Sequence, residues 1–175
     1  MKIILISGER GTGKTTILKR VAKELGYDYY TDFDILDRVE INHDCVDGDN
    51  GNIILLNLYR KFFNEHKNKN IVVDAELTIL PEQLRLLQKE FDIDAIFLGF
   101  DGISKEDSIK QLNTKNSNMN LDELKNRAWG LLNLGENLKQ MCEKENVRFQ
   151  AININRKLVI ENLSNEIINK YKNLV

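Results

Sequence analysis

Gly8-Glu9-Arg10-Gly11-Thr12-Gly13-Lys14-Thr15 decides how this chain is read. It satisfies G-x-x-x-x-G-K-[ST] at every fixed position, and each fixed residue answers a physical need. Glycines let the backbone curl until successive N–H groups converge, forming a concave nest for phosphate oxygens. Gly13 removes a side chain where the main chain must lie close to the anion. A helix starting at once adds unpaired N–H groups and the positive end of its dipole. Lys14 brings a mobile charge suited to β- and γ-phosphates, and the Thr15 hydroxyl suits Mg²⁺.

The flanks supply the context that the motif requires. Lys2–Ser7 is a continuous β-branched run, as expected of a strand buried on both faces. Lys14–Leu25 has helical apolar spacing (Ile17, Leu18, Val21, Ala22, Leu25) and meets a C-capping Gly26. Chance places this pattern somewhere in roughly one chain of a few hundred of this length, and far more rarely between such a strand and such a helix. The expected ligand is ATP with Mg²⁺, held by Gly8, Arg10, Gly11, Thr12, Gly13, Lys14, Thr15 and Thr16. No N-K-x-D tetrapeptide and no D-x-x-G switch occurs after the loop, which argues against a GTPase of the Ras type.

Outward from the loop, strands and helices alternate. Tyr27–Thr31 reads as a short strand leading into Asp32-Phe33-Asp34, with a helix at Ile35–Ile41 and a polar loop over His43–Asn52. Ile53–His66 reads as a helix, Asn70–Asp74 as an apolar strand, and Pro81 opens a helix running to about Glu90. Asp94–Phe100 is a further buried strand, and Ser104 with Asp107 marks a helix start over Ser104–Leu112. Leu121–Glu145 supports one long helix, or two broken at Gly130 or Gly135; Val147–Ile154 is a last strand and Leu158–Tyr171 a closing helix. Such alternation implies an α/β fold with a mostly parallel sheet covered on both faces.

Bulk properties narrow the classes. At 175 residues, 42% hydrophobic and 30% charged, the chain has the length of one α/β domain, residues 1–175. A net charge of −2 gives no global reason to bind nucleic acid or an anionic membrane. No apolar run approaches the roughly 20 residues of a membrane span. The run from Met1 to Ile6 stops too early for a secretory leader. Cys45 and Cys142 are far apart and read as reduced core or loop residues, so the cytoplasm is the expected compartment. Oligomeric state is open, a homodimer included.

The layout resembles the P-loop small-molecule and nucleoside monophosphate kinases, including the shikimate kinase and cytidylate kinase groups. Beyond the loop, three features carry the likeness: Asp32-x-Asp34 after the second strand, Asp74 ending Ile71-Val72-Val73-Asp74, and Phe97-Leu98-Gly99-Phe100 where a lid begins. The resemblance implies a three-layer α/β/α fold with five parallel strands in the order 2-3-1-4-5. It implies a metal shell of Thr15, Asp74 and one aspartate of the Asp32/Asp34 pair, with the other orienting the acceptor hydroxyl. Asp32 for the metal and Asp34 for the acceptor is the assignment adopted, the reverse staying open. It also implies a lid near residues 113–127 whose charge comes from Arg127, or from Lys110 and Lys115. The chain departs from the pattern in lacking the glycine-rich acceptor loop of shikimate kinases, the D-G-F-P-R run of adenylate kinases, and any arginine in Asn113–Asn120.

Each role has a plainer alternative. Asp32 and Asp34 could form a polar turn or cap the next helix, and Asp74 could cap another. Arg38, Arg60 and Arg85 lie in segments that flank the acceptor site in the related kinases but fit solvated helix faces more plainly. His43 and His66 have no metal-spaced partners and read as surface residues. Asn153–Lys157, after the last strand, sits where it could frame the adenine. The expected activity is transfer of the γ-phosphoryl group of ATP to a small metabolite or nucleotide, Lys14 stabilising charge. The rivals are a non-catalytic ATP-binding regulator and a nucleic-acid end kinase, the last disfavoured by the near-neutral charge.

Overall fold

The computed structural model describes residues 1–36, 49–104, 106–107 and 120–172. Strand β1 (Ile3–Gly8) is buried along its whole length. Its side chains alternate, Ile3 and Leu5 joining one apolar cluster and Ile4 and Ile6 the other, as a pleated strand demands. On one side β1 pairs with β3 (Ile71–Asp74), and β2 (Asp28–Thr31) lies beyond it. On the other it pairs with β4 (Ile93–Phe100), followed by β5 (Arg148–Ile152). All pairs are parallel, in the order β2-β3-β1-β4-β5. The expected order is borne out.

Helices close both faces. α1 (Lys14–Leu25) and the last helix, α6 (Arg156–Lys172), cover the face built on Ile4 and Ile6, through Ile17, Leu18, Leu163 and Ile167. A short α2 (Asp32–Leu36), α3 (Asp49–Glu65) and α4 (Pro81–Leu87) cover the other with Ile35, Tyr59, Phe62, Phe63 and Leu84. α1 stops where Gly26 takes a left-handed φ of 69° and donates its N–H to Ala22 O. Pro81 occupies the first turn of α4, and the Gln83 side chain accepts the N–H of Leu80 at 2.8 Å. Among the described residues no helix is long and apolar enough to cross a membrane.

Boundaries differ from the sequence reading where a helix outruns its apolar stripe. α3 begins at Asp49, four residues before Ile53, because periodicity marks the packed part of a helix and not its ends. Ser104 does act as a helix start, its Oγ accepting the N–H of Asp107 at 3.1 Å. Residues 37–48 and 108–119, with Arg38, His43, Cys45, Lys110, Lys115 and most of the expected lid, lie outside the described residues.

Leu121–Lys144 is one helix, α5, capped by reciprocal bonds between Asn120 and Glu123. It crosses the end of β4, giving Leu138 and Cys142 to one cluster and Leu131 and Leu132 to the other. The crossing is tight at Gly135, where a Cβ would stand 2.1 Å from Phe100 O, whereas a Cβ at Gly130 would meet nothing within 4 Å. The same substitution should therefore act in opposite directions along one helix. Gly130→Ala should stabilise the protein by about 0.5–1 kcal/mol in urea denaturation, from helix propensity alone. Gly135→Ala should cost about 1–3 kcal/mol, because backbone must move to admit the methyl. Equal effects at both sites would mean that the crossing is not tight.

Candidate functional site

The loop leaves β1 at the carboxyl ends of the parallel strands, the edge where open α/β sheets bind ligands. Its shape is fixed at the two ends. Gly8, at φ 133°, passes so close to β4 that a Cβ would lie 2.0 Å from Leu98 O, and the following N–H, of Glu9, bonds that oxygen at 3.1 Å. Gly13, at φ 107°, packs under α6, where a Cβ would overlap the Ile160 side chain at 2.4 Å. Between them Thr12 Oγ1 donates to Glu9 O at 2.8 Å. The result is a rigid curl that opens on the first turn of α1.

Lys14 is 5% exposed, and its Nζ donates to the carbonyls of Gly8 and Glu9, both at 2.9 Å. An ammonium has three donors, so one is left for an anion. Burial pulls the lysine pKa below its ordinary value, while Asp74, Glu76, Asp32 and Glu9 oppose that pull. The mouth is a cavity of about 330 Å³ walled by Arg10, Lys14, Thr15 and Thr16, with Asp74 and Glu76 on one side and Arg156 also on the lining. Six of the residues expected to hold the phosphates, Arg10, Gly11, Gly13, Lys14, Thr15 and Thr16, line it.

Asp74 ends β3 buried beside the loop, its Oδ2 accepting Thr15 Oγ1 at 2.5 Å and Tyr29 OH at 3.1 Å. Asp32 is also buried, accepts the N–H of Glu76 at 3.2 Å, and has a pKa raised chiefly by burial. Asp34 is exposed and differently engaged. Its Oδ2 accepts both the N–H (2.7 Å) and the hydroxyl (2.8 Å) of Thr31, closing the start of α2 as a helix cap. Among the described residues no group of three or more His, Cys, Asp or Glu could hold a metal alone. A Thr15–Asp74 pair nevertheless fits Mg²⁺, which takes one or two carboxylates and completes its shell with water and substrate phosphates.

The remaining candidates separate. Arg60 is tied to Glu90 by a two-pronged ion pair (2.6 and 2.8 Å) and Arg85 to Gln88 at 3.1 Å, both away from the loop mouth. Arg10 pairs with Glu76 at 2.8 Å across the mouth, exposed to solvent. His66, one residue past the end of α3, is half-buried against the Tyr30 and Phe62 rings rather than fully solvated, with its Nδ1 2.8 Å from Phe62 O. Arg127 falls in α5, its side chain outside the described ones.

Two site residues had no sequence signal beyond position. Arg156, at the start of α6, lines the cavity. Glu9 occupies a free position of the motif, yet its carboxyl is buried against Gly99 and Gly135. One oxygen accepts the N–H of Phe100 at 3.4 Å and the other has no partner among the described residues. Burial pushes this acid up to about 7, against the smaller pulls of the Phe100 N–H and Lys14. Its folded pKa exceeds its unfolded one, so the folded state holds the proton more tightly and stability falls as pH rises from 4.5 to about 7. Glu9→Gln should remove that slope, worth roughly 3 kcal/mol across the window, in urea titrations run at successive pH values. An unaltered slope would place the proton elsewhere.

Residues 4–76, from β1 through Asp74, match the model of the ATPase family associated with various cellular activities (AAA). A protein of Thermococcus gammatolerans, provisionally named an adenylate kinase, is 36% identical over 76 residues, 43% of this chain and 42% of its own length. Among solved structures, shikimate kinase from Bacteroides thetaiotaomicron aligns over 99% of this chain and 97% of its own, at TM-score 0.56 and 17% identity. The YorR protein of Bacillus subtilis, solved with phosphorylated GDP, aligns over 98% of both chains at TM-score 0.60 and 13% identity. At these identities the structural likeness shows the fold, and that fold is the one the P-loop kinase resemblance implied.

Proposed function

We propose that the chain is an ATP-dependent kinase that transfers the γ-phosphoryl group to a small metabolite or nucleotide. The observation that carries the reading is the buried Lys14 ammonium, held by loop carbonyls beside the Thr15–Asp74 pair at the mouth of α1. A polyanion carrying a divalent cation suits this pairing of an ammonium with a carboxylate. A bound Mg²⁺ would neutralise part of the phosphate charge. Thr15, Asp74 and Asp32 are the residues proposed to hold its shell, and Lys14 to stabilise the charge that develops on the β–γ oxygens.

In the transfer, the bond from the γ-phosphorus to the β–γ bridging oxygen breaks and a bond to the acceptor oxygen forms, leaving ADP. The acceptor's proton, where it has one, passes to a carboxylate. Asp34 can take that part through Oδ1 while Oδ2 keeps its helix cap. An acceptor that is itself a phosphate needs no base, and Asp34 then only positions it. The named Thermococcus relative and the shikimate kinase act in this reading as fold precedents, with the acceptor left to experiment.

A coupled assay of ADP release should stay silent with Mg·ATP alone and respond to one member of a panel of sugars, cyclic polyols and nucleoside monophosphates. Lys14→Ala should reduce transfer by about 10²-fold or more, the scale of losing one preorganised charge-stabilising donor. Asp74→Asn should raise the Mg²⁺ concentration needed for half-maximal rate. Tight Mg·ATP binding without turnover on any acceptor would replace the enzyme with a regulator, and undiminished turnover in Lys14→Ala would end the reading.

For Asp34→Asn the expected loss is about 10²–10⁴-fold in transfer rate at unchanged ATP affinity if a hydroxyl is the acceptor. An unaltered rate with a hydroxyl acceptor would confine Asp34 to its cap.

A further inference from the structure

Arg156 stands out energetically. Among the described residues its buried Nε has no hydrogen-bond partner and no carboxylate pairs with its guanidinium. Burying an unmatched charged donor is unfavourable. Its place worsens the cost, since it opens α6, a 17-residue helix with no acidic residue in its first turn. A cation there opposes the helix dipole. The buried apolar residues of α6, Leu163, Ile167, Ile168 and Tyr171, lie further along, while Val159 and Ile160 pack its first turns without meeting the guanidinium's charge.

The position is nonetheless fixed. The connector from β5 is only Asn153-Ile154-Asn155, held by a bond from the Asn155 N–H to Asn153 Oδ1 at 3.0 Å. The first turn of α6 then rests on the loop, with Arg156 Nη2 3.7 Å from where a Cβ of Gly13 would lie. Arg156 shares the cavity with Lys14 and Thr16. The sheet order sets which part of the cavity it serves. Asp74 and Glu76 come at the end of β3, Arg156 just after β5, and these strands flank β1 on opposite sides. The metal side of the mouth is thus one wall and Arg156 the other.

We propose that Arg156 binds the nucleotide, its guanidinium holding the phosphate nearest the nucleoside across the cavity from Asp74. This rests on the nucleotide reading of the loop and adds a residue to it. A phosphate at that place would meet the orphaned N–H and relieve the opposed dipole, with the fork geometry that arginine offers phosphate oxygens. ATP and ADP share that phosphate, so both should depend on Arg156 equally. Lys14, by contrast, favours the triphosphate.

The test is calorimetric titration of Mg·ATP and Mg·ADP into wild type, Arg156→Ala and Arg156→Gln, with thermal unfolding of each protein in the absence of nucleotide. Both variants should lose about 10- to 100-fold in affinity, the range for a charged hydrogen-bonded contact, and by similar factors for the two nucleotides. Unliganded Tm should not fall, since no native partner is lost. If Arg156→Ala does not fold, Arg156→Gln keeps the stem and carries the comparison. Unchanged affinities in a wild type that binds nucleotide would overturn the inference alone, as would a loss confined to Mg·ATP or a drop in unliganded Tm that accounts for the loss. A wild type that binds neither nucleotide would overturn the loop reading, and this one with it.

Discussion

A buried ammonium governs this end of the molecule. Lys14 lies almost wholly out of solvent, and two carbonyls of its own loop are its hydrogen-bond partners. Carbonyl dipoles offset only part of the lost hydration of a charge. The acids around it, Asp74, Glu76, Asp32 and Glu9, supply the rest at a distance, so none can be viewed apart from the lysine. The arrangement also constrains the backbone. Gly8 can present its carbonyl to Lys14 because β1 approaches β4 there without a side chain between them. A sheet contact, a loop curl and a charge are one unit.

The strand order turns that unit into a two-sided mouth. β1 is central, so the segments leaving β3 and β5 must approach the loop from opposite directions. From β3 come the acids, Asp74 and Glu76, with the Thr15 hydroxyl bound to the first. From β5 comes Arg156, with no acid among the described residues to match it. A polyphosphate with a metal at one end has the same asymmetry. On the proposed reading, the topology itself sets the direction in which the nucleotide lies.

Much of this was legible because it is local. The curl needs Gly8, Gly11 and Gly13, the helix needs its 3.6-residue stripe, and β1 and β3 need unbroken apolar runs; each requirement is written in consecutive residues. Asp74 could be flagged because it ends such a run. Tertiary contact decided the rest. Gly130 and Gly135 read as equivalent helix breakers, yet one faces open space and the other the backbone of Phe100, and the helix runs through both. Asp32 and Asp34 read as a pair, but the turn into α2 buries the first and gives the second to Thr31. Glu9 sits at a position where the motif accepts any residue, so only the packing of α5 shows that its carboxyl is trapped.

Glu9 bears on why such a costly site is kept. An acid raised to about 7 and an arginine whose buried Nε meets no acceptor among the described residues are both defects by the standards of a core. Stability alone would favour an apolar residue at the first and a neutral one at the second. Both lie at the loop, and neither has a counterpart among the apolar contacts that hold the layers together. Local violations of folding rules are expected where a site must meet a ligand that the unliganded protein lacks. Arg156 fits that account, since an anion would satisfy it. Glu9 does not face the mouth; it lies behind the loop, against the helix that crosses β4. Its physical effect is therefore on the packing of α5 over the loop, and through the Glu9 carbonyl, which Lys14 and Thr12 both grip, on the curl itself.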